Sequence, residues 1–163
     1  MASTLTVDNI VGATSSDTVH LPGHVVQLVN SSITGSSGSA NSSSWLDTGN
    51  TLTITPKYSD SKILVIVHHV VSVQTDNGHT RIDFRCIENG SSTEIYRMDF
   101  HGQDGTTNNT QRNMSGSGVF QCTNTNALTF KTQVQKASTT EGTWYPLWYS
   151  DSIHTMQALE VAQ

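Results

Sequence analysis

One stretch constrains the fold of this chain more than any other: residues 62–73, KILVIVHHVVSV. Eight of its side chains are aliphatic, nearly all of them valine or isoleucine, and no helix-capping pattern brackets it. β-Branched side chains are stiff at χ1 and fit a pleated surface better than a helix. The run is also too short for a membrane-spanning helix. It reads as a central strand buried on both faces, so the rest of the chain must supply the layers that cover it.

The flanking sequence supplies strands. HVVQLVN, residues 24–30, opens the body, and SSITGSSGSANSSS to Ser44 reads as a flexible polar loop. Trp45 and Leu46 begin a strand that passes through Asp47-Thr48-Gly49-Asn50 into TLTITP, where Leu52 and Ile54 alternate with threonine until Pro56. After Asp76-Asn77-Gly78, HTRIDFRCIEN sets Ile82, Phe84 and Cys86 on one face and Arg81, Asp83 and Arg85 on the other. This predicts a half-buried strand hairpinned to the central one. A turn at Glu88-Asn89-Gly90 leads to TEIYRMDF, a long polar loop HGQDGTTNNT, and a strand around GVFQCT. ALTFKTQVQK places Leu128, Phe130 and Val134 opposite Lys131, Gln133 and Gln135, and WYPLWY and SIHTMQALEVA give two further short strands.

About eight strands at roughly ten-residue spacing, with turn signals between them and no helical period, predict an all-β antiparallel sandwich of jelly-roll type. Residues 1–23 stand apart. Leu5, Val7, Ile10, Val11, Val19 and Leu21 are scattered through them, broken by Gly12 and closed by Pro22-Gly23. Too short to hold a core, this segment is expected to be an extended docking arm, with residues 24–163 forming the sandwich body.

Composition narrows the function. Ser and Thr supply 44 of the 163 residues while charged residues are only 13% of the chain, which favours exposed strand faces and turns over helices. With a net charge of −5 and no cluster of Lys or Arg, the electrostatic footprint of a nucleic-acid binder is missing. No stretch of 18 apolar residues occurs, and the opening MASTLTVDNI carries neither a basic region nor an apolar signal core. A membrane partner is therefore not expected, and the chain reads as a product of the cytosol in which it is made.

No residue pattern calls for catalysis, a cofactor or a metal. His68 and His69 are adjacent in a strand and point to opposite faces; His20 and His24 flank a turn but lack a third ligand. Gly116-Ser117-Gly118 lacks the strand-to-helix turn of a nucleophile elbow. Asp83, Glu94, Asp99, Asp104, Glu141 and Asp151 read as solvated acids rather than a catalytic pair. Cys86 and Cys122 sit in strand-like series and are expected to be buried, reduced thiols. Trp144, Tyr145, Trp148 and Tyr149 form the one dense aromatic cluster, a candidate recognition patch for a sugar or a protein.

The order of three segments, TLTVDNIVGATSSDTVHLPGHVVQ, WLDTGNTLTITPKYSDSKILVIV and the closing SIHTMQALEVAQ, resembles a β-sandwich module of tailed-phage virion surface proteins. The likeness covers nearly the whole chain and implies a non-enzymatic virion surface protein, usually a homotrimer, on a tail fibre or on the head shell. The few residues before the shared opening leave no room for a fibre shaft. The expected function is thus a trimeric capsid decoration, or cement, protein, bound to the major capsid protein or another virion protein through the arm. The alternative is a small tail fibre, knob or receptor-binding module, for which a host surface glycan is the candidate partner.

Overall fold

The computed structural model describes residues 22–34, 43–74, 78–104, 109–136, 143–145 and 152–163. Among them are nine strands: β1 (Val25–Thr34), β2 (Leu46–Ile54), β3 (Lys62–Gln74), β4 (Gly78–Glu88), β5 (Glu94–Asp104), β6 (Asn109–Gln121), β7 (Leu128–Lys136), β8 (Thr143–Tyr145) and β9 (Ile153–Val161). β1, β9, β3 and β6 form one sheet in that order, with β8 beside β3; β2, β7, β4 and β5 form the second. Every pairing is antiparallel.

Four partnerships are nested. β4 pairs with β5, β3 with β6, β2 with β7 and β1 with β9, so the chain doubles back on itself about the β4–β5 turn. Successive nested pairs fall alternately in opposite sheets, which is the jelly-roll arrangement of a double-sheet sandwich. β9 covers β3 over residues 62–68 and β8 takes the same side at residues 72–74, while β6 runs along the whole other side. The strand read from the sequence as central is therefore central.

Several boundaries differ from the sequence reading. β1 continues through Ser31–Thr34, and β5 and β6 extend to Asp104 and back to Asn109, taking up much of what reads as polar loop. Polar residues serve in these strands because a sandwich strand needs apolar side chains on one face only. The expected hairpin between residues 62–73 and 79–89 is absent from the ladders: β3 and β4 lie in opposite sheets. Both carry an apolar face that has to meet another across the core, so the connection between them crosses from sheet to sheet instead of closing a hairpin.

The core lies between the two inner faces. Ile63, Val65, Val67 and Val71 of β3, Met114 of β6 and Met156 and Ala158 of β9 meet Leu52, Ile54, Ile82, Phe84, Cys86, Phe130 and Val134 of the opposing sheet. Phe120 and Phe130 pack edge to face across it, ring centroids 5.8 Å apart. Cys86 and Cys122 are free and buried, as expected. Burial pushes the Cys86 thiol up to about 12, and burial with the nearby Glu160 carboxylate pushes Cys122 up to about 11.

β3 is not buried on both faces. Its burial alternates: Ile63, Val65, Val67, His69 and Val71 are buried, whereas Leu64, His68 and Val70 are half-buried and Ile66 is exposed. No third layer covers the outer side of this sheet among the described residues. The apolar run therefore serves a core with one parity and presents a surface with the other.

Candidate interaction surface

The outward parity of β3 joins apolar side chains on its neighbours. In register, Leu28 of β1 stands opposite Leu159 of β9, Leu159 opposite Leu64 of β3, and Leu64 opposite Val119 of β6. At a strand separation of about 4.8 Å, this row crosses the whole sheet in roughly 14 Å. Its two ends are the most open: Leu28 is 53% and Val119 56% exposed. Val25 and Ile66, also exposed, lie in the adjacent rows.

What flanks the row is almost uncharged. The next row outward reads Asn30, Gln157, Ile66 and Ser117, and the one after it Ser32, Thr155, His68 and Ser115. His68 Nδ1 and Ser115 Oγ are hydrogen-bonded at 2.7 Å. On the other side come Val25, Val161, Lys62 and Gln121. Over the outward positions of residues 25–34, 62–70, 113–121 and 153–161, Lys62 and His68 are the titratable side chains. Exposed apolar rows of this kind, rimmed by polar groups, mark protein-interaction sites, and interface centres are depleted in charge.

The opposite face of the sandwich differs in kind. Asp83 of β4 is buried and accepts hydrogen bonds from Arg97 (2.9 Å), Arg81 (3.0 Å) and Gln135 (2.9 Å). Burial works against its ionisation, but these donors and the two guanidinium charges outweigh that and hold its carboxyl below the ordinary range. Arg85 donates to Gln133, Gln133 to Asp47, and Lys131 pairs with Asp47 at 3.1 Å. Trp45 lies under Arg85 and Arg97, 4.0 and 5.2 Å from its ring centroid. The charges of this face satisfy one another.

Within the core, β3 and β9 place His69 and His154 side by side, ring centroids 4.8 Å apart. Asn50 Nδ2 donates to His69 Nε2 at 3.2 Å, with Thr132 Oγ1 also within 3.2 Å, and Val70 N–H donates to His154 Nδ1 at 3.1 Å. The remaining nitrogens, His69 Nδ1 and His154 Nε2, have no hydrogen-bond partner. Burial lowers His69 to about 3 and His154 to about 4, with the neighbouring imidazoles adding to the effect. Both rings are neutral at ordinary pH. Among the described residues no three His, Cys, Asp or Glu side chains are grouped to hold a metal. His68 and His69 point to opposite faces, as their spacing requires.

The residues singled out from sequence fare differently. Leu5, Val7, Ile10, Val11, Val19 and Leu21 lie outside the described residues, as do Trp148 and Tyr149. Trp144 and Tyr145 are described in their backbone alone, paired with Val73 and Ser72. Gly116 and Gly118 lie mid-strand in β6, packed beneath Tyr96 and Ile95. The outward row of Leu28, Leu64, Val119 and Leu159 was missed. Its signal was the presence of apolar residues at both parities of residues 62–73, which a second covering layer would have explained equally well. No helix among the described residues is long and apolar enough to cross a membrane.

Comparison with known proteins gives little to set beside this geometry. No protein-family model matches the chain, and no curated protein matches it. Solved structures that resemble it include dimeric latent PorU from Porphyromonas gingivalis (TM-score 0.46, 11% identity, 93% of this chain and 14% of that one). Another is infectious bursal disease virus, Gx strain (TM-score 0.37, 11% identity, 99% of this chain and 37% of that one). T=1 particles derived from infectious bursal virus also resemble it (TM-score 0.38, 14% identity, 98% and 43%). The chain spans less than half the length of each of these.

Proposed function

We propose that this chain is a non-enzymatic structural protein of a virion, a trimeric capsid decoration protein that binds the outer head shell and stabilises it. The observation that carries this reading is the nearly uncharged outer face of the β1–β9–β3–β6 sheet, with its row of Leu28, Leu159, Leu64 and Val119. A domain whose core is already filled has no need of such a row for its own stability, and a large apolar surface left in water invites association. The jelly-roll body and the family likeness of the segments 4–27, 45–67 and 152–163 fit the same role. Attachment to the shell falls to residues 1–23, whose apolar side chains gain most by spreading over a partner. The second reading, a small fibre or receptor-binding module that takes a host glycan, draws on the aromatic residues 144–149.

Copy number separates the two. Purified particles of the virus that encodes this chain, resolved on a stained gel, should show it in stoichiometry comparable to the shell protein, and particles lacking it should lose their contents at lower temperature. A few copies per particle together with lost adsorption would favour the fibre. Absence from particles would end the virion reading.

A further inference from the structure

We propose that copies of this chain bind one another through the outer face of the β1–β9–β3–β6 sheet, with the row Leu28, Leu159, Leu64 and Val119 at the centre of the contact. The inference rests on the reading of the chain as a self-assembling virion protein and adds which surface assembles it.

Three features point to a second copy as the occupant. Over its described outward positions the face carries one formal charge, at Lys62, so copies of it come together with little repulsion. The opposite face, with Arg81, Arg85, Arg97, Lys131, Asp47, Asp83 and Asp99, has its charges committed to one another and would have to be desolvated to bind anything. Next, the two rows on one side of the apolar one are Asn30, Gln157, Ile66 and Ser117, then Ser32, Thr155, His68 and Ser115, mostly hydroxyl and carboxamide groups. Hydroxyl and carboxamide groups both donate and accept, so rows of them can pair with the rows of neighbouring copies converging on a symmetry axis, which carboxylates or ammonium groups cannot do. Lastly, the apolar row runs from one edge strand to the other, Leu28 on β1 and Val119 on β6, with no polar rim closing it at either edge. A partner with a smaller footprint would leave one of these ends wet. An anionic partner such as nucleic acid or a lipid surface would require the cationic charge that this face lacks.

The test is the association state of the full chain measured by sedimentation over a range of concentrations, with circular dichroism and a melting curve to establish folding. The native chain should associate at micromolar concentration. The double variant Leu28→Glu with Val119→Glu, both at exposed positions, should remain folded and sediment as a monomer. The milder pair Leu28→Ser with Val119→Ser, suited to an exposed strand, should weaken association about a hundredfold or more. Thr51→Glu, on the outer side of the other sheet, should change nothing. If the native chain associates and both double variants associate with unchanged constants, the inference is overturned while the assembly reading stands. If they associate normally but no longer bind particles, the face belongs to the shell protein and the inference is again overturned. A native chain that stays monomeric at tens of micromolar sinks the assembly reading itself.

Discussion

Glu160 sits on β9 with its side chain wholly buried, yet its carboxylate is fully occupied. Lys57 N–H donates at 2.8 and 3.0 Å, Tyr58 N–H at 3.1 Å, Ser61 Oγ at 2.7 Å and Gln27 Nε2 at 2.6 Å. One acceptor thereby fixes the whole β2–β3 connection and ties β1 to it. Glu160→Gln puts an amide where donors converge, and should cost about 3 kcal/mol or more in urea unfolding; a loss under about 1 kcal/mol would show that the loop holds itself. The His69–His154 pair gives a second prediction, set by pH. Both folded values lie below the ordinary imidazole value of 6.5, so protons bind the unfolded chain first. Stability is complete above about 6.5 and falls as pH drops toward 4, by at most about 1.4 kcal/mol per pH unit for each ring. Among the described residues the groups facing the pair are Phe84, Asn50 and Thr132, with His68 nearby, and none of these is a carboxylate that could rescue the charge. The held-down carboxylates Asp47, Asp83 and Glu88 lose their contribution only at lower pH, below their unfolded values. Melting temperatures of His154→Gln and the native chain between pH 6.5 and 5 should therefore diverge in slope, with the native the steeper. Sequence alone showed that His68 and His69 part company; it could not show that His69 meets His154, because that contact joins strands 85 residues apart in the chain.

At the level of strands, the two sheets come into close contact at β5 and β6. A Cβ built on Gly116 would fall 1.9 Å from the Tyr96 ring, and one on Gly118 would fall 2.0 Å from the Ile95 carbonyl oxygen. Tyr96 Oη also donates to the Ser115 carbonyl at 2.9 Å, so the aromatic ring lies flush on the glycine backbone and closes that side of the sandwich. Gly118→Ala meets backbone and has nowhere to go; Gly116→Ala must eject a ring. Each should cost about 3 kcal/mol or more, whereas Ser117→Ala, pointing outward between them, should stay within about 0.5 kcal/mol. Chemical denaturation of the three variants checks this, and equal effects at all three positions would mean that the glycines merely soften the strand. These elements were readable to different degrees. Alternating Leu52 and Ile54, or Ile82, Phe84 and Cys86, announce their strands because one face must be apolar. β6 was mostly missed because its inward positions include two glycines, which leave no apolar mark, and its outward positions before Val119 are the polar Asn113, Ser115 and Ser117. The reading of β3 as buried on both sides failed for the reverse reason: periodicity reports which residues avoid water, and cannot say whether the chain itself or another copy excludes it.

Over the whole molecule, the order of nested pairs was legible as a class, a sandwich of about eight strands, but not as a set of partners. Leu28 and Leu159 stand opposite each other across almost the full length of the chain, and no local pattern names so distant a neighbour. The same pairing locates where the body begins. Gly23 N–H donates to the Ala162 carbonyl at 2.8 Å and Ala162 N–H donates to the His24 carbonyl at 3.0 Å, so the β1–β9 ladder starts at the last residue of the segment read as an arm. Gly23 takes a φ of 85°, a left-handed turn that redirects the chain as it enters the ladder and that a side chain would strain. Folding of the body therefore requires Gly23, and among the described residues no hydrogen bond of the β1–β9 ladder draws on a residue before it. A chain beginning at Pro22 should accordingly unfold at the same urea concentration as the full chain, within about 0.5 kcal/mol, and keep its association state. Its binding to particles stripped of the native protein should nevertheless be lost, because Leu5, Val7, Ile10, Val11, Val19 and Leu21 supply the apolar contacts proposed to hold it there, each fully buried side chain contributing about 1.5 to 3 kcal/mol before ordering costs. Unchanged binding by the shortened chain would move attachment to the body, while a failure to fold would make residues 1–21 part of the sandwich.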